Sequence, residues 1–322
     1  MLEAQLAQGA KFNVNSFMGH LGMPNYGNVF FVDPGAGSDT ANDGMSPDKA
    51  FATIAKAHSV MTADQDDVCI VASTSSTGRT AETDNVTWSK RRTHLIGAGP
   101  MRKMNPRNGL GVAATLTGET TTAIFTVTAT NCSFTNLSFA TFQDNNILFE
   151  VQASYNTFRY VHFQGIGHDT TGNDTSARSL LITGAGENEF YDCTIGLDTV
   201  TRSDANASLE LTGSCPRNKF YNCEFPLFAD NAGAFWVKAD TGNCYERYLL
   251  FDNCHFFNAT LGSSTTLTAG LKLSATGNGE VRMNRCSWAG ATDLATDYTC
   301  LFSSNAPVND TQDSGRSIQI TT

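Results

Sequence analysis

The sequence predicts an all-β solenoid, a parallel β-helix whose first coil is covered by a helix, and two observations carry that prediction. A sextet of the form aromatic-x-Asn-Cys-x-aromatic recurs six times. Phe220–Phe225 and Phe251–Phe256 are the cleanest copies, Phe190–Ile195 and Met283–Trp288 close variants, Phe134–Phe139 and Phe158–Phe163 looser ones. Their first residues lie 24, 32, 30, 31 and 32 positions apart, and a recurrence at that period marks one structural unit stacked repeatedly. An apolar-x-apolar pair precedes each copy: Phe125/Val127, Phe149/Val151, Leu180/Ile182, Leu209/Leu211, Phe235/Val237 and Leu271/Leu273, with Cys300/Phe302 as its repeat in the last turn.

Within Phe220–Phe225, Phe220 and Asn222 share one period-2 parity while Cys223 and Phe225 share the other. Strand side chains alternate faces, so two inward sets out of register need a break between them. The break falls at the Asn, which tolerates the left-handed conformation and suits a one-residue corner. Each copy is therefore strand, corner, strand. The apolar pair adds a third strand through short links such as 184–188 and 277–280. Three strands per roughly 30 residues make one coil, and the spacing predicts roughly eight coils, about 40 Å of length. Stacking files Cys193, Cys223, Cys254 and Cys286 into a column. Coil spacing admits disulfides there; the preferred reading is free, buried thiols acting as small apolar fillers. Asn136, Asp192, Asn222 and Asn253 form a second column placed to share side-chain hydrogen bonds. The cysteine spacing is unlike the close pairs of a zinc site.

Before the repeats, residues 1–27 match no copy and read as a mobile tail or, given Leu2, Leu6, Phe12, Phe17, Met18 and Leu21, as an anchoring arm. Residues 28–34 read as a strand ended by Pro34, and 35–45 as a Gly/Asp-rich turn. Its Asp39, Asn42 and Asp43 look like a loose calcium loop without the EF-hand spacing or closing Glu, so a structural turn is preferred. Ser46 and Pro47 then start a helix with Phe51, Ile54, Ala55 and Met61 on one face and His58, read as a satisfied buried residue, at its flank. This helix is the expected cover of the first coil edge. Val68–Ala72 is the first coil strand, His94–Gly99 begins the next, 100–120 form a side loop, and the regular coils run from about 123 to 303. SIQITT, in the tail 304–322, reads as a last strand or an edge cover.

The charge balance excludes several functions. Net charge is −10 and the basic run is short, Lys90–Arg92, so neither nucleic acid nor anionic membrane is an expected partner. No run of about 18 apolar residues exists to span a membrane. The N-terminus carries no basic-then-apolar signal pattern, and nine cysteines are an odd number; synthesis in a reducing cytoplasm is the expectation.

The run VFFVDPGAGSDTANDGMSPDKAFATIAKAHSVM (29–61), with DDVCIVA (66–72) and HLIGAG (94–99), resembles the opening of right-handed parallel β-helix proteins of the pectate-lyase-like superfamily. The coils of form F-x-N-C-x-F are similar too, and the resemblance covers about residues 28–303. It implies a single-stranded right-handed parallel β-helix with an N-terminal capping helix. That superfamily mixes polysaccharide lyases, glycoside hydrolases, epimerases and bacteriophage virion proteins, so fold alone does not carry function. The short arm directly before the FFVD strand is similar to β-helix proteins of tailed bacteriophages. This implies a capsid-surface decoration or head-fibre protein without catalytic activity, assembled in the host cytoplasm and carried on the virion. It also implies a homotrimer, partnered by the major capsid protein or other virion proteins, with no cofactor. Residues 1–27 are then an attachment arm or oligomer contact, 28–67 a capping strand and helix, and 68–322 the β-helix. The alternative is a carbohydrate-active β-helix, a tail-spike depolymerase or polysaccharide lyase, acting on a host surface glycan.

A lyase of this fold would need an Arg or Lys base beside carboxylates holding calcium; a hydrolase would need two facing carboxyls. His168, Asp169, Asp174, Asp198, Arg202, Asp204 and Asp230 are the polar candidates in the loops after the C-x-F strands. Among them Asp198 and Asp204 are placed as a pair, with Arg202 as base. Turns require the same residue types, and the outward positions Tyr191, Tyr221, Asp252, Asn284 and Thr194, Glu224, His255, Ser287 hold no acidic ladder. No catalytic residue or metal ligand is therefore assigned. Tyr160, Tyr191 and Tyr221 offer an aromatic-lined carbohydrate groove, with Tyr160 at the corner position.

Overall fold

The computed structural model describes residues 27–72, 79–82, 84–104, 109–112, 122–259, 265–274 and 276–303. Each coil runs through three faces. Face one begins with Val29–Val32 and ends with Leu301–Ser303, ten strands in sequence order; face three begins with Val86–Trp88 and ends with Ala291–Ala295, eight strands. Face two comprises Arg79–Glu82, Gly109–Val112, the far halves of Ser133–Ala140 and Thr157–Gln164, then Thr194–Ile195, Glu224–Leu227, His255–Asn258 and Ser287–Ala289. Neighbouring strands pair in parallel, as in Phe158↔Phe190, Phe190↔Phe220 and Phe220↔Phe251. The eight strands of face three give the eight coils that the spacing predicts.

The corner is a property of position. The third residue of all six sextets has φ between 53° and 56°: Asn136, Tyr160, Asp192, Asn222, Asn253 and Arg285. In the last copy the bend falls on Arg285, one residue past Asn284. Flipping the parity there lets both halves of the sextet point inward. Phe134, Phe158, Phe190, Phe220 and Phe251 stack at centroid distances of 5.0, 4.6, 4.5 and 5.2 Å. Phe225 stacks on Phe256 at 4.6 Å.

All nine cysteines are free and buried. The four column thiols donate back one coil: Cys193 to Phe158 O (3.6 Å), Cys223 to Phe190 O (3.5 Å), Cys254 to Phe220 O and Cys286 to Phe251 O (both 3.4 Å). Burial holds the Cys223 and Cys254 thiols well above their ordinary range, so they stay uncharged fillers. In the corner column Asn253 Nδ2 donates to Asn222 Oδ1 (2.8 Å), while Asn136 instead donates to Gly97 O and Gly99 O (2.8 and 3.0 Å). A further ladder, unforeseen from the sequence, lies two residues before the inward Phe. Buried Asn156, Asn188 and Asn218 accept at Oδ1 from Cys132 N, Asn156 N and Asn188 N (2.8, 2.9 and 3.1 Å).

Two registers differ from expectation. Leu209 faces Val237 and Leu211 continues to Ala239, so the inward pair of that coil is Val237/Ala239 and Phe235 sits one step early. Cys300/Phe302 do not repeat the face-three pair. Leu301–Ser303 returns to face one against Val281–Met283, with Leu301 and Ser303 inward.

The helix expected from Ser46 is two elements. Pro47–Lys49 forms one 3-10 turn; Phe51 then bridges Val32 in extended form; α1 (Ile54–Val60) follows, capped by Thr53, whose Oγ1 accepts from Lys56 N at 3.1 Å. Asp39 imposes the break by accepting from Ala52 N (2.7 Å), Thr53 N (3.1 Å) and Thr53 Oγ1 (2.7 Å). Ile54, Ala57 and Met61 bury into the core with Val32, Val71 and Trp88, whereas Ala55 is exposed. His58 is buried against Trp88 and accepts from Ser89 N at 3.2 Å. Asn42 donates to Ala50 O (2.7 Å) and Asp43 accepts from Met45 N (3.0 Å), so the loop's polar groups hold its turn. Gly44 is required there: its φ is 71°, and a Cβ would lie 2.2 Å from the Phe51 ring. The expected arm, save Gly27, the tail with SIQITT, and 105–108 and 113–120 of the side loop lie outside the described residues; within that expected loop Gly109–Val112 is a strand, paired with Arg79–Glu82 and with the far half of Ser133–Ala140.

Candidate functional site

The three faces differ in what they offer outward. On face two the outward column runs His162, Thr194, Glu224, His255, Ser287. Lys103, in the second coil between Thr93–Gly97 and Gly109–Val112, reaches Glu224 four coils on (3.5 Å); His162 and Thr194 are buried, whereas His255 and Ser287 are exposed. On face three, charges are consumed in pairs: Arg178 and Lys238 both take Glu210, and Lys272 takes Asp240 (3.0 Å).

Face one is open. Its outward column after the inward Phe runs Arg159, Tyr191, Tyr221, Asp252, Asn284, as parity predicts. The Tyr191 and Tyr221 rings stack at 4.9 Å, and the Arg159 guanidinium lies 4.0 Å over the other side of Tyr191. Tyr160 contributes nothing to this column: its φ of 53° turns it into the corner, and Arg159 takes the place expected for it. Stacking along the coil axis covers both faces of Tyr191, so the column presents ring edges, hydroxyls and the remaining face of Tyr221. A groove paved with free aromatic faces is therefore not what the tyrosines make.

The column before the inward Phe runs Thr157, Glu189, Lys219, Leu250, Arg282. Glu189 accepts from Tyr191 Oη (2.6 Å) and Lys219 Nζ (2.9 Å). Burial raises the Glu189 carboxyl, but these hydrogen bonds, with the charges of Lys219 and Arg159, together outweigh it and hold it below the usual carboxylate range. Burial and the Glu189 carboxylate push the Tyr191 hydroxyl up to about 12. At neutral pH the strip therefore carries an ionised Glu189 beside a neutral phenol. Arg285 flanks Asp252 at 2.7 Å, Arg217 pairs with Glu187, and Arg282 with Glu280. Together these make a polar strip across five coils that can hydrogen-bond an extended, hydroxyl-rich polymer.

The loop candidates are elsewhere. Arg202 has no solvent exposure and cannot reach a polymer as a base. Asp204 accepts from Ala205 N (2.6 Å), Asp174 from Ser176 and Asn146, and His168 from Thr170 N (3.2 Å) at the start of α2 (Asp169–Gly172). Asp198 is half-buried, and Asp169 and Asp230 are exposed. Among the described residues no hydrogen bond or ion pair joins Asp198, Arg202 and Asp204, and no group of three His, Cys, Asp or Glu is placed to hold a metal. The residues that share the open strip, Glu189 and Lys219 above all, were missed because they do not recur; their signal was the Glu189-x-Tyr191 and Lys219-x-Tyr221 parity on neighbouring coils.

The chain is a right-handed parallel β-helix. The solved structures it is similar to have that fold: a pectate lyase, Pel9A (TM-score 0.54, 14% identity, 86% of this chain and 68% of that one), the pectin methylesterase PemA from Erwinia chrysanthemi (0.55, 12%, 90% and 91%), and a pectin methylesterase in complex with a hexasaccharide (0.54, 13%, 92% and 91%). No protein-family model and no curated protein matches the sequence.

Proposed function

We propose that this protein is a carbohydrate-active β-helix that engages an extended polysaccharide along face one. The observation that carries the reading is the strip Arg159–Tyr191–Tyr221–Asp252, in register and at least partly exposed on four consecutive coils. The fold it shares with a pectate lyase and pectin methylesterases supports a glycan rather than a purely structural role. On the strip the Glu189 carboxylate is paired with Lys219 and Asp252 with Arg285, and the Arg159 guanidinium lies over Tyr191. The test is a panel of polysaccharides, scored for binding by affinity electrophoresis and for released oligosaccharide. Glu189→Gln and Tyr221→Ala should each weaken engagement about tenfold or more, the loss of one charged hydrogen bond or one contact surface. Unchanged engagement in both variants would sink the proposal.

The virion setting belongs to the same proposal. The resemblance of the opening segment to tailed-phage β-helix proteins supports a particle-borne protein, attached through residues 1–27 to the major capsid protein or another virion protein as a homotrimer, with the strip facing host glycan. Deleting residues 1–27 should abolish co-sedimentation with particles and leave glycan engagement intact.

A further inference from the structure

Arg202 is among the largest side chains with no solvent exposure. Its backbone is fixed by the next coil: Arg202 N donates to Phe228 O (2.8 Å), and Arg202 O accepts from Asp230 N and Asn231 N (2.9 and 3.0 Å). One guanidinium nitrogen, Nη1, donates to Asn206 Oδ1 (3.3 Å). That amide is oriented by its own Nδ2, which donates to Gly172 O (2.9 Å) and Asp174 O (3.3 Å). The other two nitrogens, Nε and Nη2, have no hydrogen-bond partner among the described residues. They are not scattered orphans: they form one edge of the guanidinium, whose parallel N–H groups make the fork that grips anions.

Nor is the charge compensated. The charged group acting on Arg202 is another cation, Arg178. Arg178 is satisfied by Glu210, which also serves Lys238 (2.8 Å). Among the described residues, the remaining carboxylates of these loops, Asp169, Asp174, Asp198, Asp204 and Asp230, make no ion pair with Arg202. Burial and Arg178 push its guanidinium down to about 9, so at neutral pH it is still protonated. An isolated buried cation is costly unless paired and hydrogen-bonded. One uncompensated positive charge calls for one negative charge; a divalent anion would only exchange one imbalance for another.

We infer that the Nε–Nη2 edge of Arg202 is a binding site for a small monovalent anion, chloride being the simplest, held inside the loops between faces two and three. The anion is a structural ligand that lets the 168–178, 196–207 and 228–235 loops close over a cation.

The test is thermal unfolding at pH 7 and constant ionic strength, with sodium chloride replacing sodium gluconate, whose anion is too large to enter. Wild-type Tm should rise with the logarithm of chloride concentration, by about 2–5 °C once chloride is roughly a hundredfold above its Kd. Arg202→Met, which keeps the bulk and removes the charge, should show no chloride dependence. A wild-type Tm indifferent to chloride, or an equal rise in Arg202→Met, would overturn the assignment. Should Arg202→Met not fold, wild-type crystals soaked in bromide decide: an anomalous peak within hydrogen-bonding distance of Nε and Nη2 supports the site, and water without anomalous signal there refutes it.

Discussion

Inside the coils, Phe190 lies on Phe220 and Phe220 on Phe251, each ring serving as floor for the next. In the loops that join faces two and three, Arg202 lies buried with two of its three guanidinium nitrogens unpaired and Asp198 stands half-exposed, with no counterpart one coil on. The two regions share backbone connectivity but not logic. A column residue must suit its neighbours above and below, so its type recurs every 30-odd positions. A loop residue answers to one local arrangement. Stability should therefore concentrate in the columns, and variation in the loops should be tolerated unless it touches the buried cation.

The largest expected effect tests this contrast directly. Phe220→Ala removes a ring buried between two others and should cost about 4 kcal/mol, the range for deleting a core aromatic. Asp198→Asn, in the loop one coil earlier, should stay within about 0.5 kcal/mol. Denaturant unfolding of both variants reads the difference. Comparable losses would mean that the loops and columns are equally structural, and the contrast would fail.

The N-terminal end, where repeats give way to a cap, offers a second and smaller effect. His58 is buried beside Trp88, and burial and Lys90 push its pKa from 6.5 down to about 4. The unfolded chain therefore binds this proton at higher pH than the folded one. The cap's contribution is fully present above about pH 6.5 and lost as pH falls towards 4, by about 3 kcal/mol in all. His58→Gln keeps an acceptor for Ser89 N and should flatten the pH profile of stability in that window. A profile identical to wild type would place the acid sensitivity elsewhere.

Recurrence also explains how much was legible. The three-strand coil, the left-handed corner and the thiol column all follow from residues that repeat: Phe220 and Cys223 betray their partners because Phe251 and Cys254 stand 31 positions on. The cap was only half legible. Its helical pattern begins at Ser46, but the carboxylate of Asp39, which no periodicity signals, captures the backbone at Ala52 and Thr53 and breaks the helix. The candidate site was least legible. Arg202 has the composition of a loop base and the position of a core residue, and burial is not written in residue type. On face one, parity placed Tyr191 and Tyr221 outward and stacked on consecutive coils, but that same stacking covers the ring faces a groove would need.

The smallest effect sharpens the comparison from within the columns. Tyr160 is a column residue that departs from the Asn and Asp at most other corners: it holds φ at 53° with a bulky side chain. A non-glycine residue pays about 1–2 kcal/mol to adopt that conformation, and Asn is penalised less because its short side chain bonds locally. Tyr160→Asn should therefore stabilise the fold by about 1 kcal/mol, visible as a Tm rise of about 2 °C, whereas Asn222→Tyr should destabilise it and also remove the acceptor for Asn253 Nδ2. Opposite signs at the same position of two coils would establish that the corner is selected by backbone geometry. If Tyr160→Asn instead lowers Tm, the Tyr160 ring contributes packing that exceeds its strain, and this corner obeys the loops' local logic inside an otherwise repeating column.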